Sequence, residues 1–498
     1  MTRQDKALAA ALAYIPQWIA HQMRLAGQPG CSFAVAHHGT LVAEFALGHS
    51  GDGHALTPRH RFRVASHSKT FTAAAVLRLR ELGRWQLDDA VGRYVPGLHK
   101  QVAAATLAQL LSHSAGLVRD GADAAQWSDR APFLDEAALR ADLAGSPAVT
   151  PNTRLKYSNH GYGLLGLAIA AVAGEPYTDW VAREIVAASG LNETTPDMAP
   201  GVLPDVLPDV AIKRAGKTPP FAQGHSAAWP LGHRVVIPGD NPTHALAAAT
   251  GFVSTASDLV KFFSSLVPEA PHSVLSPASR REMLRRQCRD AHSSIERWYG
   301  LGTISGPTAG AGSDWDSFGH TGGFQGTLSR TVCLPQQGLC LSALSNAADG
   351  QAGQWVDGAV QIIRAYLQHG APTARTAAWA GRWWSLWGAF DLLPMRNRVL
   401  VAQPSLANPL LDATQIEPNT RQPGLGRITL ASGFASHGES ARLELNAAGR
   451  ATAVWLAATR LQSEPQAAKE LAARYKPAPG PAAKSTRPKT TKARPAPR

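Results

Sequence analysis

The stretch "RFRVASHSKTFTAAAVLRLREL", residues 61–82, decides how this chain is read. A short apolar run (Phe62, Val64, Ala65) stops at Ser66. A helix-forming segment follows at once, with Ala73, Ala74, Ala75, Leu77 and Leu79 at helical apolar spacing. Ser66 suits two roles. As a helix N-cap, its oxygen would satisfy an orphan backbone N–H. As a nucleophile, it would share a helix face with Lys69, whose desolvated amine can take its proton. The helix N-terminus would add free N–H groups for a developing oxyanion. Ser or Thr three residues before Lys is common, and Thr486 with Lys489 repeats it near the C-terminus. The pair therefore needs partners from elsewhere in the chain.

With 498 residues, 44% of them hydrophobic, the chain can bury a sizeable core and form two or three domains. No apolar run approaches the ~18 residues of a membrane span. The opening "MTRQDKALAAALAYIPQWIAHQMRLAG" is interrupted by Asp5, Pro16, Gln17, His21 and Gln22. It reads as an amphipathic surface helix rather than a signal peptide, so a cytoplasmic location is expected. Four cysteines (Cys31, Cys288, Cys333, Cys340) are too few and too scattered for a disulfide framework. Cys333 and Cys340 flank a predicted hairpin turn, "PQQG" at 335–338, and are expected to be small buried residues in a reducing compartment.

The net charge is +13, but the stretch from Lys476 to Arg498 carries seven Lys or Arg and no acid, so subtracting seven leaves +6 for the body. Six prolines and no packing residue make 476–498 a disordered, solubilising tail, and no specific nucleic-acid partner is implied.

Along the chain, "CSFAVAHHGTLVAEFALG" (31–48) reads as an antiparallel hairpin turning at His38-Gly39. A short helix followed by a turn at Gly116 is expected within 106–117 and helices at 131–145 and 161–174, then a Pro-rich insertion at 196–242 that shapes the mouth of a pocket or forms a long loop. Strand patterns at 298–305, 327–334 and 339–346 precede a closing helix from about Gln351 to Leu367. Strands at both ends with helices between them predict one mixed α/β domain over 1–370. After it, tryptophans at 379, 383, 384, 387 and 455 and alternating segments predict a small β domain with a terminal helix, 376–475.

Two further motifs complete the opening one: Tyr157-Ser158-Asn159 in "LKYSNHGYGLLG", and His320-Thr321-Gly322-Gly323 in "SFGHTGGFQGTLSR". Taken singly, Tyr157 reads equally well as a packing aromatic, Asn159 as a helix cap and His320 as a turn residue. The order Ser-x-x-Lys, Tyr-x-Asn, basic residue-Thr-Gly resembles the penicillin-recognising serine hydrolases: class C β-lactamases, DD-peptidases, esterases and D-aminopeptidases. "ELGRWQLDDAVGRYVPGL", "TLAQLLSHSAGL", "GFVSTASDLVKF" and "YGLGT" extend the resemblance over about 1–370.

The resemblance implies an antiparallel sheet flanked by helices and a helical subdomain; with no Cys/His cluster at metal-ligand spacing and no Gly-rich phosphate loop after a strand, an enzyme without metal or cofactor is expected. It implies that Ser66 forms an acyl-enzyme with an ester, amide or small peptide, while Lys69 and Tyr157 share the proton work and Asn159 orients Lys69 and the substrate. Backbone N–H groups of Ser66 and Gly323 would form the oxyanion hole, with Thr321 and Gly322 binding substrate. For Tyr157 to act as a base near neutral pH, Lys69 and His320 would have to supply positive charge.

Many β-lactamases and DD-peptidases carry Lys where this chain has His320. Histidine here is similar to the esterase and D-aminopeptidase branches, which are therefore expected before β-lactamase or DD-carboxypeptidase activity. D-aminopeptidase also resembles the chain in having β-barrel material after its catalytic domain, although its second such domain has no counterpart here. A nucleophile elbow at Ser114 is rejected because position 112 is Ser rather than Gly. The rival from another class is a non-catalytic binding or scaffolding module. Oligomeric state is not readable from these patterns.

Overall fold

The computed structural model describes residues 2–198, 220–308, 315–431 and 436–476. Most of the Pro-rich insertion's first half and the expected tail from 477 lie outside the described residues.

Helix α1 (Arg3–Ala26) starts at a capping box between Thr2 and Asp5 and ends at Gly27, which adopts the left-handed conformation with φ 57°. The hairpin of β1 (Gly30–His37) and β2 (Thr40–Gly48) turns on two residues, His38 at φ 48° and Gly39 at φ 77°. Positive φ at both is what a tight type I′ turn requires. The main sheet is completed by β3 (Cys288–Arg289), β4 (Trp298–Tyr299), β5 (Ile304–Pro307), β6 (Asp316–Phe324), β7 (Thr327–Leu334) and β8 (Leu339–Ser345). Its order is β2-β1-β8-β7-β6-β5-β4-β3, antiparallel throughout.

All seven residues of β8 are buried, because helices cover both faces of the sheet. On one face Ala34, Ala36, Cys340 and Leu344 join a large core that includes Phe262 and Phe263 of α4 (Ala256–Ser265). The alternate residues Phe33, Val35, Leu341 and Ala343 point to the opposite face, where α5 (Ala352–His369) packs on β7 and β8 and against α1. Between the strands of the hairpin and β3 lie α2 (Ser68–Glu81) and α3 (Asn159–Ala173), packed on each other. Residues 131–145 contribute a shorter helix than expected, Glu136–Asp142, capped by Asp135.

Cys333 and Cys340 stand opposite each other on β7 and β8 and are joined as a disulfide, which corrects the expectation of two separate thiols. The strand register that places them face to face brings the two sulfurs within bonding reach.

The described chain divides into two compact units: residues 1–371 with 404–411, and residues 372–403 with the chain from 412 onward. The segment 404–411 belongs to the first unit by its bonds. The Trp18 indole N–H donates to the Leu406 carbonyl at 3.4 Å, and Gln22 Nε2 donates to the carbonyls of Pro404 and Leu406. Gly358 of α5 allows this approach, since a Cβ there would overlap both the Trp18 ring and the Ala407 carbonyl.

The second unit is a closed antiparallel barrel of β9 (Gly381–Ser385), β10 (Gly388–Pro394), β11 (Val399–Ala402), β12 (Thr414–Pro418), β13 (Leu425–Leu430), β14 (Ser440–Leu445), β15 (Ala451–Leu456) and β16 (Thr459–Gln462). Trp379 and Trp383 fill its core with Val399, Ile416 and Val454. Trp387, at the β9–β10 hairpin, is 86% exposed.

Candidate active site

Ser66 is not a helix cap. It lies in a single 3-10 turn, Ala65–His67, and α2 begins two residues later at Ser68. Ala65 holds a left-handed φ of 49°, strain of the kind that aims a neighbouring side chain. The turn is over-determined by its neighbours. Ser68 Oγ donates to the Ala65 carbonyl at 2.5 Å and accepts from Phe252 N at 3.0 Å, while His67 bridges the Val64 carbonyl and Thr331 Oγ1 of β7. Burial lowers the His67 pKa to about 4, so it is a neutral strut.

The turn leaves Ser66 Oγ facing Lys69 and Tyr157. Lys69 Nζ donates to Ser66 Oγ at 3.0 Å, to Asn159 Oδ1 at 2.7 Å and to the Ala249 carbonyl at 2.8 Å. Burial pushes the amine well below the ordinary lysine range; the charge of Asp120 opposes this shift and that of Arg119 adds to it. Asn159 Oδ1 and the Ala249 carbonyl can only accept. When Lys69 loses a proton, its two remaining N–H bonds stay on those two oxygens, and the lone pair turns to the Ser66 hydroxyl.

Tyr157 Oη donates to Ser66 Oγ at 2.9 Å. Burial drives the phenol upward and outweighs the opposing bond to Ser66 and the nearby Arg119, so Tyr157 remains protonated near neutral pH. This runs against the expectation that Lys69 and His320 would ready Tyr157 as a base, since burial shifts both of them toward their neutral forms.

Asn159 is the first residue of α3 rather than its cap. The cap is Ser158, whose Oγ accepts from Gly161 N at 2.8 Å. That frees the Asn159 amide to link Lys69 to Asp120, donating from Nδ2 to Asp120 Oδ1 at 2.6 Å. Asp120 also receives the Trp127 indole N–H at 2.9 Å and pairs with Arg119 at 3.0 Å.

His320 donates from Nδ1 to the Thr321 carbonyl at 2.6 Å, and its Nε2 lies 2.9 Å from Tyr299 Oη. A carbonyl can only accept, so Nδ1 carries the proton. Burial, followed by the neighbouring His67 and Lys69, lowers its pKa well below the ordinary imidazole value. His113 packs tilted against Tyr157 and Tyr299 meets it edge to face, which completes this aromatic wall.

Residues 320–324 of β6 pair with β7, whereas pairing with β5 stops at Gly319–Ile304. The other edge of 320–324 therefore carries no strand among the described residues. Thr321 and Gly323 are exposed and line a cavity of about 470 Å3 together with Ser66, Tyr157 and Asn159. Gly322, expected to bind substrate, is not among the residues that line this cavity. It is buried against the nucleophile turn, where a Cβ would overlap the Val64 carbonyl and Ser329 Oγ. Strand alternation turns 321 and 323 to the cavity and 322 away from it.

Residues 15–361 match the protein family described as Beta-lactamase. The chain belongs to the beta-lactamase family. Within it, penicillin-binding protein 4 of Amycolatopsis lactamdurans is 28% identical over 346 residues, covering 64% of this chain and 81% of that protein. Protein flp of Staphylococcus aureus (strain MW2) is 28% identical over 169 residues, 33% of this chain and 34% of that protein. Among solved structures, the octameric penicillin-binding protein homologue from Pyrococcus abyssi superposes with a TM-score of 0.60 at 20% identity, covering 91% of this chain and 99% of that one. A D-stereospecific amidohydrolase from Streptomyces sp. gives 0.55 at 24% identity over 70% of this chain and 97% of that one. The family match places the chain in a hydrolase family, and the solved structures share its fold; no helix among the described residues is long and apolar enough to cross a membrane.

Proposed function

We propose that this protein is a serine hydrolase that cleaves an ester or amide, as an esterase or a peptidase similar to D-aminopeptidase, through an acyl-enzyme on Ser66. One observation carries the reading: Lys69 is buried with two of its three bonds on obligate acceptors, leaving the third position for the Ser66 proton. The amine takes that proton, Ser66 Oγ bonds to the substrate carbonyl carbon, and the negative oxygen faces the backbone N–H groups of Ser66 and Gly323. Collapse breaks the bond to the leaving group, which takes a proton from Tyr157; the proton held by Lys69 restores the phenol. Water then repeats the sequence on the acyl-enzyme. The alternating exposure of Thr321 and Gly323 along an open strand edge supports their part in holding the substrate backbone.

The test is labelling with a fluorophosphonate, located by mass spectrometry. An adduct on Ser66 that fades in Lys69→Ala supports the reading. A folded protein that takes no label sinks it and returns the fold to the binding-module alternative.

Two outcomes follow from the geometry. Tyr157→Phe removes the acid beside the leaving group. It is expected to slow hydrolysis of an amide by about 10²–10⁴-fold and to affect a p-nitrophenyl ester far less, because p-nitrophenolate departs without a proton. Equal losses on both substrates would assign Tyr157 to packing alone.

The pH dependence has a definite sign. Catalysis needs neutral Lys69, so the rate rises with pH through the Lys69 pKa and then levels, with the rise placed below the ordinary lysine range. Asp120 favours the charged amine, so Asp120→Asn is expected to move the rising limb to lower pH. An unmoved limb in kcat/KM would leave Asp120 as a purely structural anchor.

A further inference from the structure

We infer that the cavity selects acyl donors whose apolar acyl part ends in an anion, read by the guanidinium groups of Arg119 and Arg297. This rests on the hydrolase reading, takes its esterase branch over the aminopeptidase one, and names the substrate class that Ser66 would meet.

Arg119 is mounted rigidly. Its carbonyl accepts from the first two N–H groups of α3, Asn159 at 3.0 Å and His160 at 3.2 Å. Its side chain, 64% exposed, spends Nε on Asp120, while Cζ lies 5.8 Å from the centre of the Tyr157 ring. That ring carries the hydroxyl bonded to Ser66, so the guanidinium stands one side chain away from the nucleophile. Nη1 and Nη2 of Arg119 have no hydrogen-bond partner among the described residues. Arg297 reaches the same cavity from the strand side. Nε and Nη2 bind Asp290, and Nη1 has no partner among the described residues.

The opposite sign has no comparable presence. Asp290 is taken by Arg297, and Asp120 by Arg119, Asn159 and Trp127. A substrate α-ammonium would meet two cations and no unpaired carboxylate among the described residues. His320, neutral and engaged at both ring nitrogens, is not the anion reader. Trp127, Leu155, Trp298 and Ile304 line the space around these cations, which suits an apolar chain carrying a terminal carboxylate. Such a group would gain charge-assisted hydrogen bonds from forks already fixed at one end.

Three p-nitrophenyl esters of equal chain length test this: the adipate half-ester (anionic), hexanoate (neutral) and 6-aminohexanoate (cationic). The adipate half-ester is expected to show kcat/KM about 10–100-fold above hexanoate, mainly through KM, with 6-aminohexanoate lowest. Arg119→Gln and Arg297→Gln should each reduce the adipate-to-hexanoate ratio about tenfold, and added salt should shrink the wild-type ratio. A wild type that prefers hexanoate or 6-aminohexanoate, or a ratio unmoved in both variants, overturns the inference. If no ester is turned over and Ser66 takes no phosphonate, the hydrolase reading has failed. The anion reading is then decided by calorimetric titration of adipate mono-anilide into the Ser66→Ala protein. Binding that weakens when Arg119→Gln and Arg297→Gln are added upholds it, and no binding, or binding unchanged by them, overturns it.

Discussion

Ser66→Ala is expected to lower kcat by about 10⁶-fold, Lys69→Met by about 10⁴-fold or more, and the double variant no further than Ser66→Ala alone. The two groups make one device, so their effects do not add. Without Oγ there is no atom to form the acyl bond, and Lys69 then has no proton to take. Without the amine, Ser66 keeps the Tyr157 hydroxyl at 2.9 Å, but that phenol is held protonated and is a poor acceptor of the Ser66 proton. Methionine roughly conserves the volume of the buried lysine, so the measurement reports chemistry rather than a collapsed site. Single-turnover acylation rates of the three variants decide the matter. A Lys69→Met protein within tenfold of wild type would move the role of base to another group.

Gly322→Val is expected to destabilise the fold by roughly 1–3 kcal/mol or more and to cost about 100-fold in kcat/KM, although Gly322 faces away from the cavity. The new side chain would have to occupy the space of the Val64 carbonyl, the last backbone oxygen before Ala65 and Ser66. It must push β6 off the nucleophile turn or drive the turn itself. Either movement separates Gly323 from Ser66, the two residues proposed to share the oxyanion. A denaturant melt alongside steady-state kinetics reads both effects. Wild-type values in both would show that the strand and the turn are less tightly joined than their contact implies.

Residues whose chemistry is specific to their type were legible without coordinates. Ser66, Lys69, Tyr157 and Asn159 stand within one hydrogen-bonded cluster in the structure, and it was the resemblance of their motif order to a known family that joined them in the sequence. What escaped was carried by backbone atoms or by distant packing. The Ala249 carbonyl that holds Lys69 leaves no trace in residue type, since any residue supplies the same oxygen. Asp120, in the loop "GLVRDG", looks like an ordinary turn carboxylate until Asn159 and Trp127 are seen to converge on it.

His320 was read for its charge in water, whereas burial beside His67, Lys69 and Tyr299 removes that charge. The barrel's later strands showed alternation. The Trp-rich pair β9 and β10 did not, because half of their positions are neither fully buried nor fully exposed and the last four of β10 are all buried. The cysteines at 333 and 340 were placed across a hairpin correctly, but an assumed redox setting overrode the register that joins them.

The loan of residues 404–411 to the first unit sets the order in which the protein can be made. During synthesis the ribosome releases the main sheet and α5 before the segment that receives the Trp18 and Gln22 side chains. Until that segment emerges, one face of α1 has no partner for its buried indole N–H. The nascent first unit must wait for three strands of the following barrel, β9, β10 and β11, to be translated. A stop after Ala371 would therefore release an unfinished unit rather than a smaller enzyme.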